Sequence, residues 1–204
     1  MKKEVYAVIN VESFRSVSKR FVAKELGIYF LHQRYAVSYQ FRIMRNTKLH
    51  RQCSWCTQKF VNGLPTNLKT LDGRQEYDVA HLSSIIKRLA VEATMHEQLI
   101  GYNGNDAEKT LLAVNGVTNV VDLEALGCPK FTHLLRSDDS EIREAWTCER
   151  HAKLENNIVP HCAMLKCYVY GEWWRVRMLQ KRNAQRNDTA SDVCTSNAEN
   201  CENL

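Results

Sequence analysis

The chain is 204 residues long, 44% hydrophobic and 25% charged, with 28 Lys and Arg against 23 Asp and Glu for a formal charge of +5. A chain of this size buries roughly 70% of its unfolded surface without disulfide support, and its composition excludes collagen-like, coiled-coil and wholly disordered proteins. No uncharged apolar run approaches the ~20 residues that cross a bilayer, and the apolar start is broken by Asn10 and Glu12, so neither a membrane span nor a secretory leader is expected. The eight cysteines then belong in a reducing compartment, as free thiols or metal ligands.

In chain order, Glu4 to Glu12 is rich in β-branched and aromatic residues and predicts a first strand. Two more such runs, Gly27–Leu31 and Tyr35–Phe41, flank His32-Gln33-Arg34 and predict a hairpin. Between Val79 and Met95, the residues Leu82, Ile85, Ile86, Leu89 and Ala93 recur at helical spacing, which predicts an amphipathic helix. Gln98–Tyr102 reads as a short strand ending at the turn Asn103-Gly104-Asn105, and Asp106 is placed to cap a helix through Leu112. A strand is expected over Asn119–Leu123 and a long last helix over Cys162–Met178. The fold class is therefore α/β, a mixed sheet flanked by helices, the layout of ribonuclease H-like folds.

From Lys181 onward Val193 and Leu204 are the only large apolar residues, so residues 181–204 read as a disordered tail to a domain spanning 1–180. Without the tail's three cations and four acids, the domain holds 25 cations against 19 acids, a charge of +6. The positive charge belongs to the folded part.

Cys148-Glu149-Arg150-His151 places a thiolate and an imidazole within reach of one tetrahedral ion, and Cys162, at the start of the last helix, supplies a further thiol where the helix end favours the thiolate form. A buried thiol beside an unrelated histidine is the competing account of the pair. Cys53-Ser54-Trp55-Cys56 has no second Cys-x-x-Cys partner and lies in a basic stretch read as irregular, so structural or incidental thiols are favoured over redox chemistry.

From Leu26 to Leu71 there is no acid, while seven cations, Arg42, Arg45, Lys48 and Arg51 among them, alternate with aromatics that include Trp55. Such a run is a candidate phosphate-tracking surface with a base-stacking side chain, against the alternative of a solvated hairpin face.

The strand VYAVINV, then Arg20-Phe21 and Glu25-Leu26-Gly27 before a hairpin, and last Cys-x-x-His with a downstream Cys before a helix ending in Trp173-Trp174, resemble the Maelstrom domain. The resemblance spans roughly Val5 to Trp174 and implies a ribonuclease H-like descendant of DEDD-type exonucleases with a structural zinc. It implies Glu25, Cys148, His151 and Cys162 as the ligands. Against the parent motifs, Asn10-Val11-Glu12 lacks the first acid and Lys166 stands at an expected aspartate, so Glu12 and Asp106 are catalytic remnants and two-metal catalysis is not expected. The expected function is a zinc-containing domain that binds single-stranded RNA without cleaving it. By resemblance it works with small-RNA (piRNA) pathway proteins in transposon silencing, in the cytoplasm, the nucleus or both. The alternatives are an active DEDD-type exonuclease of viral or mobile-element origin, using Glu12 and Asp106 with carboxylates such as Asp78 or Glu155, and a protein-interaction scaffold.

Overall fold

A computed structural model describes residues 4–43, 47–57, 64, 77–135, 139–152 and 161–198. Five strands form one sheet: β1 (Val5–Arg15), β2 (Phe21–Phe30), β3 (Tyr35–Gln40), β4 (Leu99–Tyr102) and β5 (Val120–Asp122), in the order β3-β2-β1-β4-β5. The first three are antiparallel, and β4 and β5 run parallel to β1 and to each other. The helices are α1 (Arg51–Thr57), α2 (Val79–Met95), α3 (Asp106–Val114), α4 (Phe131–Leu134), α5 (Ser140–Trp146), α6 (Glu149–Ala152) and α7 (Ala163–Ala198). This is the mixed, helix-flanked sheet that the sequence pattern predicts.

Alternation along β1, shifted once by an irregularity between Val5 and Ala7, divides the core between the two sheet faces. Ala7, Ile9 and Val11 join Leu82, Ile86, Leu89 and Ala93 of α2, while Val5 and Val8 join Leu165, Val169 and Trp174 of α7. The helical stripe read from the sequence is the stripe α2 buries.

Three expectations change. Strand β1 continues to Arg15 and pairs through a bulge at Glu12/Ser13 with a β2 that begins at Phe21, so Glu12 lies directly across from Glu25. The cap of α3 is Asn105, whose side chain accepts from the Ala107 amide, and Asp106 is the first helical residue. Helix α7 runs to Ala198, into the stretch read as a disordered tail. A helix nucleated by its buried first half gains one backbone bond per added residue, and side chains 181–184 are exposed, as their polarity requires. Residues 199–204 of that stretch lie outside the described residues.

Helix α7 reaches the sheet because two glycines let it. A Cβ on Gly27 of β2 would lie 2.4 Å from the Ala163 carbonyl atoms and 2.6 Å from the Met164 nitrogen, and one on Gly171 would lie 2.3 Å from the Tyr29 ring. Backbone cannot swing aside as a side chain does. Gly27→Ala is therefore expected to cost about 3 kcal/mol, seen as a fall of about 6–12 °C in thermal midpoint; a fall under 2 °C would contradict this packing.

Candidate metal centre and acid pocket

The first turn of α7 brings two constellations onto one face of the sheet. Cys162 and Lys166 are four residues apart and lie one above the other, with the Lys166 amide donating to the Cys162 carbonyl at 3.0 Å. Beneath them are the facing acids Glu25 and Glu12. Like charges directly across a ladder destabilise it, so each acid needs its own counter-group. Cys162 and His151 serve Glu25, and Lys166 serves Glu12.

At the first constellation, Glu25, Cys148, His151 and Cys162 are all buried and offer ligand atoms within 4.8 Å of one another. Cys148 Sγ lies 3.0 Å from His151 Nδ1, which lies 3.7 Å from Glu25 Oε2, and Cys162 Sγ lies 3.8 Å from Glu25 Oε1. A tetrahedral ion with bonds of 2.0–2.3 Å has ligand edges of about 3.3–3.8 Å; the two separations to Glu25 match that span, and the Cys148–His151 pair at 3.0 Å would open slightly around an ion. Neighbours fix the carboxylate, which accepts from Ser38 Oγ at 2.7 Å and from the Ala163 amide at 3.1 Å. The same four residues that the resemblance names are thus brought together.

The electrostatics of this cluster ask for a cation. Burial first, and then the charge of Cys148, pushes Glu25 up to about 8, against the pull of His151 and two hydrogen bonds. Cys148 is held well below the usual thiol range by its hydrogen bond with Cys162 and then by His151, while burial drives Cys162 well above it. Two thiols sharing one site release their protons at the expense of each other and of the carboxylate. A divalent ion would let all three ionise, and thiolate, imidazole and carboxylate are ligands that zinc accepts.

The second constellation is an acid pocket. Lys166 Nζ donates to Glu12 Oε1 at 2.5 Å, with both side chains largely buried. Glu108 of α3, wholly buried, accepts from Asn10 Nδ2 at 2.8 Å and from the Val11 amide at 2.6 Å. Its Oε2 and Asn10 Oδ1 have no hydrogen-bond partner among the described residues. His161 beside the pocket is pushed down to about 4 by burial first and then by Lys166, so its imidazole is neutral at physiological pH.

Two catalytic expectations are thereby corrected. The acid that α3 turns into the pocket is Glu108, whereas Asp106 is exposed at the helix start. Asp78 accepts from the Ala80 amide as the cap of α2, and Glu155 lies outside the described residues. A glutamate in the first turn of a helix reads as a solvated, dipole-favoured residue. Only the crossing of α3 over β1 buries it.

Burial pushes Glu108 up to about 7 against the pull of the Val11 amide, with Glu12 adding to the rise and Lys166 opposing it. The folded state keeps this proton where the unfolded chain has released it, so Glu108 lowers stability progressively from about pH 4.5 to 7 and by a constant amount above that. Glu108→Gln, which keeps an oxygen for Asn10 and Val11, is expected to gain on the order of 3 kcal/mol relative to the parent between pH 4 and pH 8. Parallel stability curves for the two proteins across that range would contradict the assignment.

The basic stretch is only partly brought together. Lys48 and Arg51 are exposed and lie beside the β1–β2 turn, where the Val17 amide donates to the Lys48 carbonyl and the His50 amide to the Arg15 carbonyl. Arg42 is exposed next to Tyr77, Arg45 lies outside the described residues, and Trp55 is placed by its backbone in α1. Cys53 and Cys56, expected in irregular chain, are instead on α1, exposed and free. Cys128, Cys148, Cys162 and Cys167 are also free, and buried.

The five-stranded mixed sheet with its flanking helices is a ribonuclease H-like fold. Among solved structures the chain is similar to the Mopeia virus exonuclease domain partially complexed with manganese, with a TM-score of 0.52 and 14% identity, over 86% of this chain and 79% of that one. No family profile matches the sequence, and neither does any curated protein. In the acid pocket of this chain an ammonium faces Glu12 and an amide stands at Asn10.

Proposed function

We propose that this chain binds single-stranded RNA on a ribonuclease H-like exonuclease fold whose two-metal chemistry has been lost and whose buried Glu-Cys-His-Cys cluster holds a structural zinc. The observation that carries the reading is the Lys166–Glu12 pair beside Asn10. Two-metal hydrolysis needs carboxylates gathered around divalent ions that activate water and stabilise the leaving oxygen. Here one carboxylate is an amide, a second is engaged by an ammonium, and burial favours the protonated form of the third. A positive domain charge supports a polyanionic partner.

Within that reading the Glu25, Cys148, His151 and Cys162 set supports the Maelstrom-like assignment, and with it work beside small-RNA pathway proteins, in the cytoplasm or nucleus. Among the described residues no helix is long and apolar enough to cross a membrane. The likeness to a viral exonuclease domain favours a second reading, an active metal-dependent exonuclease, over the Maelstrom role. One experiment separates them: incubation of end-labelled single-stranded RNA with the protein in magnesium or manganese. Retention without shortening supports the proposal, whereas stepwise shortening that EDTA stops and Glu12→Gln abolishes establishes the exonuclease.

A further inference from the structure

The β1–β2 turn and α3 enclose a groove of about 1180 Å³, above the ~300–1,000 Å³ of a small-molecule pocket and open along one side. It lies across β1 from the acid pocket. Val11 lines it, whereas Asn10 and Glu12 project to the opposite face of the strand.

Its chemistry is of two kinds. The floor is apolar, with Phe21, Leu111 and Val114 among its side chains, and Val114 is 74% exposed at its edge. The rim carries Lys19, Arg20 and Lys48, all exposed and in no ion pair among the described residues. No acid lines the groove among the described residues. Arg15 adds a fourth cation close by, its guanidinium 4.9 Å above the Phe21 ring.

We infer that this groove is the RNA-binding site, with unpaired bases lying on the apolar floor around Phe21 and phosphates engaged by Lys19, Arg20 and Lys48. The inference rests on the proposed RNA binding and assigns it to a surface separate from the former catalytic pocket. A base offers an apolar face and a phosphate a charge, so a single strand complements floor and rim together. The volume suits a length of chain rather than one small metabolite. Two of the three cations, Lys19 and Arg20, lie outside the acid-free run of the sequence; the Ser16–Leu49 bridge and the Val17–Lys48 hydrogen bond bring them to Lys48.

Fluorescence anisotropy with a labelled 15-nucleotide oligouridylate, repeated at several salt concentrations, tests this. Three lost phosphate contacts reduce the slope of log affinity against log salt by about 2. The exposed triple variant Lys19→Glu, Arg20→Glu, Lys48→Glu is expected to lose at least tenfold affinity with that change of slope. The milder triple alanine variant should fall between it and the parent. Thr110→Trp, which fills the floor, should weaken binding with the slope unchanged. Lys87→Glu with Arg88→Glu on the exposed side of α2 should match the parent. A parent that binds while either folded triple variant binds equally well overturns the groove and leaves the RNA reading standing; a parent that binds no oligonucleotide overturns both. Displacement of the oligonucleotide by polyglutamate at matched charge would reassign the groove to an acidic protein partner and overturn it too.

Discussion

Cys148→Ser is expected to release the bound metal and unfold the domain. The four candidate ligands come from β2, from the residue before α6, from α6 and from the residue before α7, so an ion held by them would join segments far apart in the chain. A structural zinc contributes roughly 10–16 kcal/mol of apparent binding free energy, against a domain stability of about 5–15 kcal/mol. The loss is therefore comparable to everything that holds the fold. Without the ion, the cluster must also keep protons on Glu25 and Cys162. Elemental analysis should find one zinc per chain in the parent, and circular dichroism should show loss of the cooperative transition in the variant or on chelation. A Cys148→Ser protein that melts at the parental temperature contradicts the centre.

Lys166→Met is expected to cost about 3–5 kcal/mol, because it leaves the Glu12 carboxylate largely buried without its 2.5 Å partner. Replacing both partners removes the uncompensated charge as well as the pair. The double variant Lys166→Met with Glu12→Gln should therefore recover most of the loss, giving a double-mutant coupling well above 1 kcal/mol. Denaturant melts of the parent, both single variants and the double variant measure it. Additive losses would mean that the ammonium does not neutralise Glu12.

How much of this was legible in the sequence depended on range. Val79–Met95 has the bounds expected of it, because five apolar residues at helical spacing bury one stripe. The Cys148–His151 pair and Cys162 were legible from local spacing, and Glu25 was found through resemblance alone, since a glutamate on a strand carries no signal of its burial. Glu108 escaped for a related reason: its role depends on α3 crossing β1, and Asp106 beside it satisfied the local pattern. The extent of α7 was missed because polar composition signals exposure, and an exposed segment can still continue a helix begun elsewhere. The cations of the groove are divided between two segments that the Ser16–Leu49 bridge and the Val17–Lys48 hydrogen bond unite.

The central claim, that an ammonium stands where a nuclease of this fold would hold divalent ions, is tested most directly by titrating manganese into the zinc-loaded protein and following free manganese by electron paramagnetic resonance. The account predicts a free signal that rises as it does in buffer alone up to millimolar metal. Uptake of one or two manganese ions per chain, abolished by Glu12→Gln, would contradict it.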